Sequence, residues 1–157
     1  MPATRVPARP LDDTDRILLE ALLRDGRASH RELASRTGLS LATVNRRVRS
    51  LEADGIIKGY TAVLESEAVG WAFTAIVGLR IDKGYLREVQ EQISRDPRVI
   101  SVYDVTGDWD GVVIARLTDR ADLDDLAKTT LSVEHIQRTT TLMVLKTVTE
   151  DALVRLP

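Results

Sequence analysis

Two arginines three residues apart, Arg46 and Arg49, are the side chains in this sequence best suited to grip a polyanion. At about 100° per residue they lie opposite an apolar stripe formed by Val44, Val48 and Leu51. A helix here therefore presents both arginines to solvent. A guanidinium group holds a guanine edge or a phosphate through two parallel hydrogen bonds. The pair predicts a helix that contacts double-stranded DNA; the alternative is an ordinary solvated basic face.

The flanks of the same helix carry further polar groups of types that contact DNA. An asparagine such as Asn45 reads adenine, and hydroxyls such as those of Ser40 and Thr43 hold phosphates. Arg47 lies nearer the core edge, where it has either Glu52 or a phosphate as a partner. The candidate DNA-binding residues are therefore Ser40, Thr43, Asn45, Arg46, Arg47 and Arg49.

This helix is the third of three predicted near the N-terminus. The first begins at about Asp12. Ser29, with a glutamate three residues later, has the capping-box pattern that opens a short second helix. Gly38 permits a tight turn, after which Ser40 caps the third helix, which runs to about Asp54. Two short helices joined by a glycine turn are typical of a helix-turn-helix, whose second helix enters the major groove.

After Gly55 the pattern changes to extended chain, with a predicted strand at 56–64 and a connection at 65–71. The elements that follow are predicted as strand 73–81, helix 85–95, strand 99–106, strand 112–117, helix 120–131 and strand 136–148. The order βαββαβ is typical of a ferredoxin-like unit. The predicted fold class is therefore α+β, with three helices and a bridging strand before an α+β sandwich.

Charge is divided unevenly along the 157 residues, whose net charge is −2. Residues 1–60 hold 11 Lys and Arg against 8 Asp and Glu, a net +3, whereas residues 61–157 hold 11 against 16, a net −5. This offset favours the first part as the one that meets a polyanion. Cysteine is absent, which excludes disulfides and thiolate metal sites, and no apolar run reaches the ~18 residues of a membrane span. We therefore expect a cytoplasmic protein with no membrane partner and no cofactor.

Longer motifs support the same reading. The segment from Glu32 to Leu64, ELASRTGLSLATVNRRVRSLEADGIIKGYTAVL, resembles the winged helix-turn-helix and linker strand of the Lrp/AsnC (feast/famine) regulators. Residues 107–110, Gly-Asp-Trp-Asp, match the family's Gly-Asp-aromatic-Asp turn, and residues 138–141, Arg-Thr-Thr-Thr, match the start of its last strand. The resemblance spans roughly residues 11–148.

The resemblance implies a specific domain organisation. Three prolines at positions 2, 7 and 10 predict a flexible tail at 1–10. The resemblance places a helix-turn-helix DNA-binding domain after it, at 11–55. A linker strand and connection at 56–72 lead to a ferredoxin-like (RAM-type) oligomerisation and effector-binding domain at 73–157. The implied function is transcription regulation by a homodimer that assembles to an octamer or a similar disc. The alternative is an architectural DNA-organising protein that works without an effector.

The resemblance also implies a site for a small amino acid where dimers meet. Carried over by position, the effector-binding residues are Gly107, Asp108, Trp109, Asp110, Thr139, Thr140 and Thr141. An α-amino group favours a carboxylate, and an α-carboxylate favours amide N–H groups or hydroxyls. The alternatives are an ordinary hairpin turn and an ordinary β-branched strand.

An enzyme and a metal site are both disfavoured by the sequence. Asp104, Asp108 and Asp110 are close enough to suggest a carboxylate site, but the neighbouring glycines favour a turn. His30 and His135 belong to no pattern of ligand spacing or of a Ser/His/Asp triad. We expect neither catalytic residues nor metal ligands.

Overall fold

The computed structural model describes residues 10–149, which form two compact units, 10–63 and 64–149. The tail predicted at 1–10 thus lies almost wholly outside the described residues, as does the end of the domain predicted at 73–157. No helix within residues 10–149 has both the length and the apolar character needed to cross a membrane.

The first unit contains the three predicted helices. They are α1 (Asp13–Arg24), α2 (His30–Thr37) and α3 (Leu41–Ala53). Each begins after a residue whose side chain accepts a hydrogen bond from the backbone N–H three positions on, and these residues are Asp12, Ser29 and Ser40. Gly38 ends α2 with φ of 73°, a left-handed conformation that glycine adopts without steric cost. The helix-turn-helix prediction is confirmed.

A small apolar core holds the three helices together. Leu18 of α1, Leu33 of α2, and Val44 and Val48 of α3 are almost completely buried in one cluster. Two of these come from the predicted stripe of α3, which therefore packs inward as the 100° periodicity requires. The opposite side of α3 is left facing solvent.

The predicted strand at 56–64 is wrong for this chain: no strand occurs between residues 10 and 72. Instead, the segment turns back on its own unit. Ile57 packs against the helical core, and the Tyr60 hydroxyl donates a hydrogen bond to Glu52 at 3.0 Å. Burial, followed by that hydrogen bond, raises the pKa of Tyr60. A strand requires a backbone partner, and the exposed Val63 and Leu64 pair with no strand within residues 10–149.

The second unit has the predicted βαββαβ order, which confirms the α+β fold class. Its elements are β1 (Phe73–Ile81), α4 (Leu86–Ile93), β2 (Val99–Asp104), β3 (Gly111–Leu117), α5 (Arg120–Lys128) and β4 (Ile136–Met143). The strands lie in the order β2-β3-β1-β4, and every neighbouring pair is antiparallel. β4 ends at Met143 rather than at the predicted 148 because its partner β1 begins at Phe73, and Met143 already pairs with Ala75.

Both helices of this unit cover the same face of the sheet. Val77 of β1 and Val113 of β3 are fully buried there against Val89 of α4 and Leu126 of α5. Side chains alternate across a strand, so the residues between them point to the other side. We call that side the helix-free face; it carries a row of apolar residues in register, Ile114, Ile76 and Leu142.

A charged cluster joins the turn before β2 to α5. Arg98, with 15% of its side chain exposed, lies 2.7 Å from Asp96, 2.8 Å from Asp122 and 2.8 Å from Asp125. The hydrogen bond from the Arg98 side chain holds the pKa of Asp96 far below its usual value. The pKa of Asp122 is lowered as well, chiefly by the backbone N–H of Thr118. Since the four charged side chains come from both the turn and α5, the cluster stabilises the second unit.

Candidate nucleic-acid and effector sites

The outer face of α3 is the part of the first unit best suited to DNA. Arg46 and Arg49 are exposed there, and neither side chain forms an ion pair or hydrogen bond with any of residues 10–149. Leu41 and Ala42 extend this exposed face to the first turn of the helix. Because the buried stripe fixes the rotation of α3, both guanidinium groups are held outward and unengaged, which is the arrangement that contact with phosphates or base edges needs.

Ser40 and Thr43 have a defined role at the start of the same helix. The Ser40 hydroxyl accepts from the Thr43 backbone N–H at 3.2 Å and lies 2.8 Å from the Thr43 hydroxyl. Both side chains therefore satisfy the helix N-terminus. Their predicted contact with phosphate stays a prediction. It would use the hydrogen-bonding capacity of the two hydroxyls that the cap does not occupy.

Arg47 is held within the unit rather than aimed outward. Its guanidinium lies 2.7 Å from Asp12 and 3.5 Å from Asp15, across the interface between α3 and the start of α1. Asp15 is completely buried, so Arg47 supplies positive charge to a carboxylate that water does not reach. The sequence predicts Glu52 or a phosphate as the partner of Arg47, and the structure gives it these two aspartates instead.

Asn45 lies on the side of α3 that faces α2. Its Oδ1 forms a hydrogen bond with Nδ1 of the half-buried His30, the first residue of α2. The two residues are fifteen positions apart, and no local spacing rule links them. Sequence reasoning proposed Asn45 for DNA contact but assigned no role to His30, and it missed this pairing.

The 107–110 turn is attached to the end of β1. The backbone N–H of Asp110 donates to the Leu79 carbonyl at 2.9 Å, and the Asp110 carboxylate accepts from the Ile81 N–H at 2.9 Å. The same carboxylate lies 3.5 Å from the Arg80 guanidinium. Gly107 has φ of 113°, which side-chain-bearing residues rarely adopt. Asp110 is therefore a structural anchor of the turn.

Trp109 covers a glycine in the middle of β1. An ideal Cβ built on Gly78 would lie 2.5 Å from the Trp109 ring, so this position has room for no side chain. Gly78 pairs with Thr140 of β4, which places the half-buried Thr140 on the same face of the sheet as the Trp109 ring. A glycine inside a predicted strand is a recognised signal that another group approaches the backbone closely, and Gly78 carries that signal.

The remaining predicted effector residues are divided between the two faces. Thr139 and Thr141 pair with the buried Leu79 and Val77, so they point to the helix side of β4, away from Trp109. Asp108 is exposed at the tip of the turn and forms no hydrogen bond or ion pair with residues 10–149. The structure thus groups Trp109 and Thr140 on one face and leaves the Asp108 carboxylate available beside them.

The two histidines lie in different units, His30 in the first and His135 in the second. His135 stacks on Tyr85 with ring centroids 3.5 Å apart, and its Nδ1 lies 3.4 Å from Asp82. Within residues 10–149, no group of three His, Cys, Asp or Glu side chains is arranged to hold a metal ion.

Comparison with known proteins shows which family the chain belongs to, and both parts of the chain match a family model. Residues 11–58 match the winged helix-turn-helix DNA-binding model, and residues 74–154 match the Lrp/AsnC ligand-binding domain model. The chain belongs to the Lrp/AsnC family. It is 40% identical over 141 residues to an uncharacterized HTH-type transcriptional regulator of Pyrococcus horikoshii, covering 90% of this chain and 95% of that one. It is 36% identical over 142 residues to the HTH-type transcriptional regulator LrpA of Mycobacterium tuberculosis, covering 90% and 94%.

Solved structures of the Lrp/AsnC family have the same fold. A transcriptional regulator of Neisseria meningitidis in complex with L-methionine superimposes with a TM-score of 0.87 at 30% identity, covering 93% of this chain and 97% of that one. The feast or famine regulatory protein of M. tuberculosis complexed with L-methionine gives 0.85 at 35% identity, covering 92% and 99%. This Lrp/AsnC protein is therefore a transcriptional regulator that combines a DNA-binding helix-turn-helix with a ligand-binding domain of that family.

Proposed function

We propose that this protein is a sequence-specific DNA-binding transcription regulator whose activity is modulated by a small amino acid bound to its second unit. The observation that carries the first part is the outer face of α3, where Arg46 and Arg49 are exposed with no partner among residues 10–149. The proposed place of action is the cytoplasm.

DNA recognition rests on the fixed orientation of α3. The α3 residues Val44 and Val48 are buried, so Arg46 and Arg49 enter a groove when the helix docks. Bidentate contact of either arginine with guanine supplies sequence preference, and contact with phosphate supplies affinity that falls with salt. Thr43 and Ser40 are proposed to contact the DNA phosphate backbone beside the two arginines.

Effector binding rests on the group formed by Trp109, Thr140 and Asp108. Two relatives are described as complexes with L-methionine, which makes this amino acid the first ligand to test. The free Asp108 carboxylate suits an α-amino group, and the Thr140 hydroxyl and turn amides suit an α-carboxylate. Thr139 and Thr141 are proposed to act from the opposite face of β4, towards a neighbouring dimer.

A homodimer is proposed to form through the helix-free face. Ile76, Ile114 and Leu142 lie in register there, and Leu142 is 60% exposed. A contiguous apolar row of this kind is stabilised by burial against a second copy. A dimer presents two copies of α3 to half-sites about one DNA turn, ~34 Å, apart. Assembly of dimers to an octamer or similar disc is proposed to create the shared effector clefts.

The alternative function is that of an architectural DNA-organising protein without an effector. The same face of α3 serves that role through backbone contacts and DNA deformation. Its binding would be broad and strongly salt-dependent rather than confined to a few operators.

Two measurements on the full chain decide between them. The first is thermal unfolding with each common amino acid, because a ligand at ~100 times its dissociation constant adds about 2.7 kcal/mol to stability. The second is selection of bound sequences from a random DNA library. Stabilisation by L-methionine or another amino acid, together with an enriched operator, supports the regulator. No stabilisation by any amino acid and no enriched sequence would overturn it in favour of the architectural function.

A further inference from the structure

The pair formed by His30 and Asn45 bears on which base the protein reads. Asn45 lies on α3 one residue before Arg46, at the edge of the face proposed to enter the groove. His30 is the first residue of α2 and reaches it from the neighbouring helix. Contact between a base-reading side chain and a residue on a different helix restricts the orientation of the reading group.

The atoms in this contact define the direction of the hydrogen bond. Oδ1 of an asparagine is a carbonyl oxygen and only accepts, so the proton must lie on Nδ1 of His30. The contact turns Oδ1 of Asn45 back towards α2. Nδ2 of Asn45 forms no hydrogen bond with residues 10–149 and is the amide atom left for DNA.

An asparagine held in this way has different base-reading properties from a free one. A free asparagine reads adenine with both amide atoms, accepting from N6 and donating to N7. With Oδ1 committed to His30, Asn45 offers two N–H donors and no convenient acceptor. The base edge that presents only acceptors in the major groove of a purine is that of guanine, with O6 and N7.

We propose that His30 is a positioning residue that fixes the amide of Asn45 with its donors outward, so that Asn45 selects guanine rather than adenine. This inference rests on the proposed function of α3 in reading DNA. His30 itself touches no base; it acts by donating from Nδ1 to Asn45.

Base selection from a random duplex library tests this with four proteins. Wild type and Asn45→Ala are compared first, because the base pair whose preference is lost in Asn45→Ala is the one that Asn45 reads. His30→Ala removes the donor and frees Oδ1. His30→Asn restores a donor, since Nδ2 of asparagine lies where Nδ1 of histidine lies.

The expected result is guanine at the Asn45 position in wild type. In His30→Ala the preference is expected to shift from guanine to adenine. The ratio of the two bases is expected to change by roughly tenfold, the discrimination of one bidentate pair. His30→Asn is expected to restore guanine, an exchange that a purely structural role for His30 would not produce. Arg31→Ala, at an exposed neighbour on α2, is the matched control and is expected to keep the guanine preference.

Other outcomes overturn the proposal in distinguishable ways. Adenine or cytosine at this position in wild type would mean that Oδ1 faces the base. An unchanged preference in a folded His30→Ala protein would mean that His30 does not orient Asn45. If wild type enriches an operator whose sequence does not respond to Asn45→Ala, this inference fails while the proposed function stands; if wild type enriches nothing, both fail.

Discussion

The carboxylate of Asp110 accepts a hydrogen bond from the backbone N–H of Ile81 at 2.9 Å, which joins the 107–110 turn to the last residue of β1. Two residues earlier in the turn, Asp108 is exposed and forms no hydrogen bond or ion pair with residues 10–149. The two aspartates have the same side chain and lie in the same motif. Their surroundings give them separate tasks, one structural and one available to a ligand.

Asp110→Ala and Asp108→Ala are therefore expected to differ. Replacing Asp110 leaves the Ile81 N–H without its acceptor, which lowers the free energy of unfolding by about 1–3 kcal/mol. Replacing Asp108 leaves stability within about 0.5 kcal/mol, as for other exposed sites, but abolishes stabilisation by the amino acid. Chemical denaturation with and without ligand measures both. Full ligand stabilisation of Asp108→Ala would place the cleft elsewhere.

Gly78→Ala tests the position of the Trp109 ring. The added carbon would lie 2.5 Å from that ring, so the indole must move off the sheet. We expect a shift in Trp109 fluorescence and at least a tenfold loss of amino-acid affinity, which corresponds to about 1.4 kcal/mol. Trp71→Phe in both proteins removes the other tryptophan signal. Gly26→Ala is the control, because a Cβ added at Gly26 would lie 3.7 Å from the nearest atom, the Leu22 carbonyl oxygen. Equal ligand affinity in both glycine variants would exclude Trp109 from the cleft.

The order of elements was predictable because each signal is local. Ser29, Gly38 and Ser40 act through hydrogen bonds or backbone angles within four residues, and apolar alternation sets the strands. The segment 56–64 has strand-like residues, but a strand also needs a neighbour, and Tyr60 instead bonds to Glu52. Strand formation there depends on tertiary context, which residue type alone does not contain.

Within the candidate sites, side-chain direction was predictable and side-chain partners were not. The 100° rule places Arg46 and Arg49 outward, as the structure has them. Asp15, which faces Arg47, lies 32 residues away on α1, and His30, the partner of Asn45, lies 15 residues away on α2. Such contacts depend on how the helices pack, so the sequence indicates which residues are polar and leaves open which of them meet.

Arg46→Ala and Arg47→Ala are expected to weaken DNA binding for different reasons. Arg46 has no partner within residues 10–149, so its loss leaves unfolding unchanged and weakens operator binding by ~1–3 kcal/mol, with blurred base preference. Arg47 faces the buried Asp15, so its loss lowers the free energy of unfolding by about 3 kcal/mol. Denaturation curves and fluorescence anisotropy with operator DNA separate the two. Unchanged affinity and selectivity in Arg46→Ala would mean that α3 is not the reading helix.

The cluster around Arg98 makes the stability of the second unit depend on pH. The pKa of Asp96 is lowered by its hydrogen bond with Arg98, so this carboxylate contributes stability above its unfolded pKa of about 3.9. That contribution is lost as pH falls below about 4 towards the folded pKa. In Arg98→Gln, three carboxylates remain together without their cation, and we expect a loss of about 3 kcal/mol at pH 7.

The pH profile distinguishes lost charge from lost packing. Protonation relieves the repulsion among Asp96, Asp122 and Asp125, so the gap between Arg98→Gln and wild type is expected to narrow from pH 7 to pH 4. Arg98→Lys keeps the charge without the forked guanidinium that reaches three carboxylates. Its free energy of unfolding is expected to lie between those of wild type and Arg98→Gln. Urea denaturation of the three proteins at several pH values measures this. A gap that is constant with pH would mean that Arg98 stabilises the unit through the packing of its side chain rather than through its charge.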